Sequence, residues 1–121
     1  MLDVDAVAAL AATAREFDAA YAAATADPAT LDPERSAKVN AALRSAEQAL
    51  LGRDGLPGRP WYRHLIYAPG LYTGYGAKTL PGVREAIEER RWAEAAEYTT
   101  QTANAIDAYR RSLETALAAL R

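Results

Sequence analysis

Apolar positions recur at spacings of three and four along most of this chain, and the exceptions gather in one central stretch. Val4, Val7, Leu10, Ala14, Phe17 and Tyr21 fall on one stripe of a helix, a spacing that the period of two in a strand cannot match. The spacing predicts a first helix over residues 3–26, stopped before Asp27-Pro28. A second start signal follows at Asp32-Pro33-Glu34: Asp32 can cap free backbone amides, Pro33 suits the first helical position, and Glu34 faces the positive helix end. A second helix is predicted over residues 33–51, antiparallel to the first, with Val39, Leu43, Ala46 and Leu50 inward. Pro81 opens a short third helix, 81–90, on Val83, Ala86 and Ile87, with the charged residues Glu88 to Arg91 on its wet side. Trp92 opens the fourth, 92–120, along which Ala96, Thr99, Ala103, Ile106, Tyr109, Leu113, Leu117 and Leu120 keep helical spacing. Such stripes hide only against one another, so the pattern predicts one all-α domain over residues 1–121, a four-helix up-and-down bundle.

Composition sharpens the contrast between the flanks and the centre. Alanine, the strongest helix former, makes up about a quarter of the chain and crowds the flanks. All seven glycines lie between Gly52 and Gly82, with Pro57, Pro60, Pro69 and Pro81. Helices two and three are therefore joined by a long Gly/Pro/Tyr-rich loop, residues 52–80. Connections in compact domains usually run to about 4–6 residues, and longer ones are functional or disordered. Disorder does not suit Trp61, Tyr62, Leu65, Ile66, Tyr67, Leu71, Tyr72 and Tyr75, so the loop must pack on something. Arg63 to Pro69 can hold a few extended residues, although a lone short strand there has no evident partner in the chain.

Charge and residue types exclude several functions. A net charge of −2 lacks the basic surplus of a general nucleic-acid binder, so no nucleic-acid partner is expected. With no cysteine and one histidine, His64, the chain offers no thiol nucleophile and no pair of imidazoles. The N-terminus carries two aspartates where a secretory signal carries Lys or Arg. No apolar run nears the roughly 20 residues of a membrane span, so a soluble chain without a membrane segment is expected.

The loop is the basic exception. Arg53, Arg59, Arg63 and Lys78 face only Asp54, and together with tyrosines and glycines they are donors suited to carboxylate or phosphate. The plainer reading pairs these cations with the chain's own glutamates and half-buries the tyrosines. His64, with no second ligand beside it, reads as a structural hydrogen-bonder. Glu94 and Glu97 read as a solvated helix face, and Asp107–Arg111 and Arg110–Glu114 as i, i+4 pairs. Trp61 and Trp92 read as anchors of the loop and of the last helix, whereas Tyr72 and Tyr75, set among glycines, should stay partly exposed to a partner or ligand.

The segment GLPGRPWYRHLIYAPG, residues 55–70, followed by YTGYGAKTLPGVREAI, residues 72–87, resembles the C-terminal helical domain of the glutamate carboxypeptidase II and transferrin receptor family. The likeness is strong over residues 50–90 and compatible along both flanks. It implies a dimerisation domain that follows a zinc peptidase domain in a parent chain, holds two subunits together as a homodimer, and lends a loop to the substrate pocket. The family's two zinc ions and general base belong to the peptidase domain, so this chain alone should hydrolyse nothing, and its parent is expected to be a zinc-dependent amino- or carboxypeptidase. The Lys-Tyr pair that binds the substrate's C-terminal glutamate in glutamate carboxypeptidase II falls on Gly74 and Tyr75. The tyrosine matches and the lysine does not, which removes the ammonium that favours an acidic side chain. The resemblance further implies that Arg59, Trp61, Arg63, His64, Tyr67 and Tyr72 belong to the loop that docks on the peptidase domain. The alternative is a stand-alone helical binding module whose basic aromatic loop captures an anionic ligand or peptide.

Overall fold

The computed structural model describes residues 4–121, so the predicted first helical residue, Asp3, lies outside the described residues. Four helices are present: α1 (Val4–Thr25), α2 (Pro33–Gln48), α3 (Pro81–Glu88) and α4 (Trp92–Leu120). The expected helical class is therefore met. The signals at the second helix operate as read: the Asp32 carboxylate accepts from the Arg35 amide at 2.9 Å, with Pro33 and Glu34 in the first turn. Asp27 caps a short 3-10 turn, Pro28–Thr30, through the Ala29 amide. Helices α2 and α3 stop two or three residues before their predicted ends.

The central stretch departs from a plain loop. Strands β1 (Tyr67–Pro69) and β2 (Ala77–Thr79) pair antiparallel, with Ala68 opposite Lys78. The extended residues after Arg63 thus do have a partner, and it lies in the second half of the same loop. A further antiparallel contact sets Leu51 opposite His64, through Gly52 N–H to Arg63 O at 2.6 Å and Leu65 N–H to Leu50 O at 2.9 Å. Between them Leu56-Pro57-Gly58-Arg59 makes a tight turn closed by the Arg59 amide on Leu56 O, with proline second and Gly58 third at φ +71, a backbone angle that glycine adopts freely.

The chain divides into two compact units, one of residues 50–105 and one of residues 4–49 with 106–121, α4 contributing to both. In the first, Leu56, Leu65, Ala68, Tyr98 and Ala105 form the core, with Val83 packed against it. The loop contributes Leu56 and Leu65 to this core, each worth about 1.5–3 kcal/mol. Tyr98 is the pivot. Its ring lies where a Cβ on Gly82 would come within 2.3 Å, so only glycine fits there, and its hydroxyl donates to Gly55 O at 2.9 Å. Helix α3 ends with Arg90 at φ +59, Arg91 N–H on Ala86 O and Arg90 N–H on Ile87 O, which satisfies the last carbonyls before α4 begins.

In the second unit Val39, Ala42, Ala116 and Leu120 form the core, joined by Phe17, Ala20, Ala24, Leu31 and Leu43. Arg35 donates through Nε to Ala119 O at 3.2 Å and through Nη2 to Leu120 O, serving the free carbonyls at the negative end of α4.

Several inward assignments change. Along the first half of α4 the buried face is Ala95, Tyr98, Thr102 and Ala105, one residue out of step with the predicted Ala96, Thr99 and Ala103; beyond it, Ile106, Leu113, Leu117 and Leu120 are buried as expected. Val4, Val7 and Tyr21 of α1 are exposed, and Thr13 is buried instead. In α3 Ile87, predicted inward, is exposed, and Glu85 takes an inward place. Trp61 and Trp92, expected as anchors, are 72% and 63% exposed; Leu56, Leu65 and Tyr98 do the anchoring.

Burial pushes the Tyr98 phenol up, helped by the carboxylates of Glu97, Glu94 and Asp54. A group whose pKa rises on folding stabilises below its unfolded value, about 10 for tyrosine, and loses that contribution as pH climbs through the folded value. Tyr98→Phe is therefore expected to cost about 1 kcal/mol at neutral pH, from the lost hydrogen bond, and to flatten the decline in stability above pH ~10. Urea unfolding of both proteins across that range checks both signs.

Candidate functional site: the clamped central loop

A folded connection needs its backbone groups satisfied, and here a buried ion pair serves two that the loop's own backbone bonds leave over, the Pro69 carbonyl and the Leu71 amide. Arg59, held at the end of the Leu56–Arg59 turn, is 3% exposed and its guanidinium meets the carboxylate of Glu85 on α3 in a two-point fork: Nη1 to Oε2 at 2.8 Å and Nη2 to Oε1 at 3.0 Å. Nη2 also donates to Pro69 O at 3.2 Å, and Glu85 Oε1 accepts the Leu71 amide at 2.9 Å. The pair thus joins the first turn of the loop, the end of β1, the residue after it and α3. Within the loop expected to dock on a peptidase domain, the Arg59 side chain itself points inward, because Glu85 offers it a buried acceptor.

A second pair lies at the rim. Lys78 on β2 donates to Glu88 at 2.5 Å, and Arg84 reaches the same carboxylate at 3.1 Å. Hydrogen bonds from Lys78 and Arg84 hold the Glu88 carboxyl below the usual carboxylate range. Two of the loop's four cations are thereby neutralised within the chain, as the plainer reading had it. Arg63 is exposed at the residue level, with Nε donating to Gly52 O at 2.9 Å. His64 is half-buried, its Nδ1 accepting from the Ile66 and Tyr67 amides and its ring 4.9 Å from that of Tyr67, which fits a structural role. Glu94 and Glu97 do not act together: Glu94 takes Arg91 and Glu97 takes Gln101. The Asp107–Arg111 and Arg110–Glu114 pairs both form on α4.

The aromatic rings behave differently from Arg59. The loop between the strands, residues 70–76, is closed by Gly70 N–H on Gly76 O and Gly74 N–H on Gly70 O, and turns at Gly74, φ +61, with open space around it. Tyr72 on this tip is 82% exposed and Tyr75 is fully exposed, while Trp61, Tyr62 and Tyr67 are also on the surface. The structure therefore brings Trp61, Arg63, Tyr67, Tyr72, Gly74 and Tyr75 to the surface of one unit, leaves His64 half-covered and withdraws Arg59. Sequence reasoning missed Glu85. Its available signal was its place beside Ala86, one turn after Pro81, on the face that Gly82 leaves open to close packing.

Among the described residues no three His, Asp or Glu side chains gather to hold a metal ion. No helix among the described residues is long and apolar enough to cross a membrane.

Four helices and a folded, aromatic-tipped connection make the described residues mostly helical. Residues 4–114 match the transferrin receptor-like dimerisation domain, and the chain belongs to this family. Over 54 residues, 45% of this chain, it is 52% identical to a protein of Arabidopsis thaliana named "Probable glutamate carboxypeptidase LAMP1". Over 75 residues, 62% of this chain, it is 39% identical to a protein of Arthroderma benhamiae named "Probable glutamate carboxypeptidase". It is also 40% identical over 48 residues, 40% of this chain and 6% of the other, to a protein of Schizosaccharomyces pombe named as an inactive zinc metalloprotease. The stretches matched are 8% and 10% of the first two proteins, so the chain spans only a small part of their length.

Arg59→Met leaves the Glu85 carboxylate buried without its cation and is expected to cost about 3–5 kcal/mol. Lys78→Met, at the rim, should cost at most about 1 kcal/mol. Urea unfolding of the two variants checks the ranking.

Proposed function

We propose that this chain is the non-catalytic dimerisation domain of a glutamate carboxypeptidase-like zinc peptidase, and that its tip, Gly74 and Tyr75, lines the substrate pocket of a peptidase domain on the same polypeptide. The supporting observation is the contrast within one loop: the base is clamped by a buried ion pair while Tyr72 and Tyr75 touch little of their own chain. Large exposed aromatics on a fixed support suit contact with a partner or ligand. In this reading Trp61, Arg63, Tyr67 and Tyr72 meet the peptidase domain, which carries the two zinc ions and the general base, and a homodimer forms through the domain as the family's name indicates.

The Tyr75 hydroxyl is a donor for a substrate carboxylate, and Gly74 brings no ammonium beside it. The pocket therefore keeps carboxylate recognition without a charge that selects an acidic side chain. Capture of an anionic ligand by the chain alone has less support, because Arg59 and Lys78 already serve Glu85 and Glu88.

In the protein that carries the peptidase domain, Tyr75→Phe should raise KM about tenfold, the worth of one hydrogen bond to a charged group, with little change in kcat. The same change in this chain should move unfolding free energy by less than about 0.5 kcal/mol, since the ring is exposed. Unaltered KM would remove Tyr75 from the pocket.

A further inference from the structure

The tip has few means of holding its own position. Its backbone bonds are internal: Gly70 with Gly76, Gly74 with Gly70, and Tyr75 N–H on Thr73 O at 2.6 Å. Its tyrosines project outward. Such bonds fix the shape of the loop and leave its orientation to whatever grips its ends.

Besides the Leu71 side chain, which lies over Gly58, two hydrogen-bonded attachments grip the ends. One is the short β1–β2 ladder, which Leu80 N–H on Ile66 O extends by one bond. The other is the Leu71 amide, the first tip residue after Gly70, donating to Glu85 Oε1 at 2.9 Å. Glu85 can accept there because Arg59 holds its carboxylate: both oxygens are engaged by the fork, and the Arg59 Nη2 bond to Pro69 O fixes the strand end two residues before Leu71. A carboxylate is the only group on α3 that bonds the tip backbone and the guanidinium together, and lysine in place of arginine would lack the planar fork that spans Glu85 and Pro69.

We propose that Glu85, oriented by Arg59, is the positioning residue of the tip, setting where Gly74 and Tyr75 stand through the Leu71 amide. The link to a substrate pocket rests on the proposed function above; the positioning itself is a property of this chain.

The test replaces the Leu71 amide by an ester, through the α-hydroxy analogue of leucine, which deletes one N–H and leaves both buried charges in place. Hydrogen exchange at the Tyr75 amide, whose acceptor Thr73 O the ester leaves unchanged, is read by NMR alongside residual dipolar couplings of the tip; the Gly74 amide is set aside because the ester also weakens its acceptor, Gly70 O. The proposal expects exchange at the Tyr75 amide to quicken by about tenfold, the couplings to shrink, and the core amides around Tyr98 to keep their protection. A tip as ordered as in the unmodified chain would overturn it. The second arm is the double variant Arg59→Leu/Glu85→Leu, which removes both buried charges together and with them the acceptor of the Leu71 amide; the tip should loosen as in the ester, and a fully ordered tip would overturn the proposal. In the protein with a peptidase domain, the ester should raise KM with kcat little changed, as Tyr75→Phe does. If Tyr75→Phe alters KM and the ester does not, the positioning role is overturned; if Tyr75→Phe itself has no effect, the pocket reading fails while exchange still decides the positioning.

Discussion

One guanidinium and one carboxylate, Arg59 and Glu85, carry the central segment of this protein. Buried ion pairs are expensive to desolvate and contribute little net stability compared with apolar packing, but they fix geometry, and a segment with only two three-residue strands needs fixed geometry more than it needs area. The pair occupies the place where a turn, a strand end and a helix converge. Apolar burial by Leu56, Leu65 and Tyr98 supplies the stabilisation around it.

Close packing at Tyr98 completes the arrangement. Gly82 lets the ring approach α3, and the hydroxyl reaches the backbone of the loop at Gly55. Residues far apart in sequence are thus brought against one side chain of α4. The tip, by contrast, leaves Tyr72 and Tyr75 in solvent.

The helices were legible because their ends are marked chemically: Asp32-Pro33-Glu34 caps and starts α2, and Pro81 opens α3. The phase of the buried face was harder to read. In the first half of α4, alanine and threonine occur on two adjacent stripes, and hydrophobicity alone does not separate them; the deciding residue is Tyr98, whose ring and hydroxyl have partners distant in sequence. The same limit applies to α1, where alanines make nearly every face tolerable and Val4 and Val7 stay exposed. The β1–β2 pairing escaped notice because each strand is three residues long and the intervening glycines carry no periodicity. Glu85 escaped because a glutamate on a charged helix reads as surface until an arginine from another segment is known to face it. The tip tyrosines were legible, since glycine-flanked rings have little nearby to cover them.

The family resemblance, carried by residues 55–87, and the match over residues 4–114 agree on the transferrin receptor-like dimerisation domain. The proposed function holds that the clamped loop presents its rings to a neighbouring domain. Hydroxyl-radical footprinting tests this most directly, comparing the chain alone with the protein in which a peptidase domain is joined to it. The account predicts that Trp61, Tyr72 and Tyr75 are readily oxidised in the chain alone and become protected in the longer protein, while Tyr98 is protected in both; equal oxidation of the three rings in both proteins would contradict it.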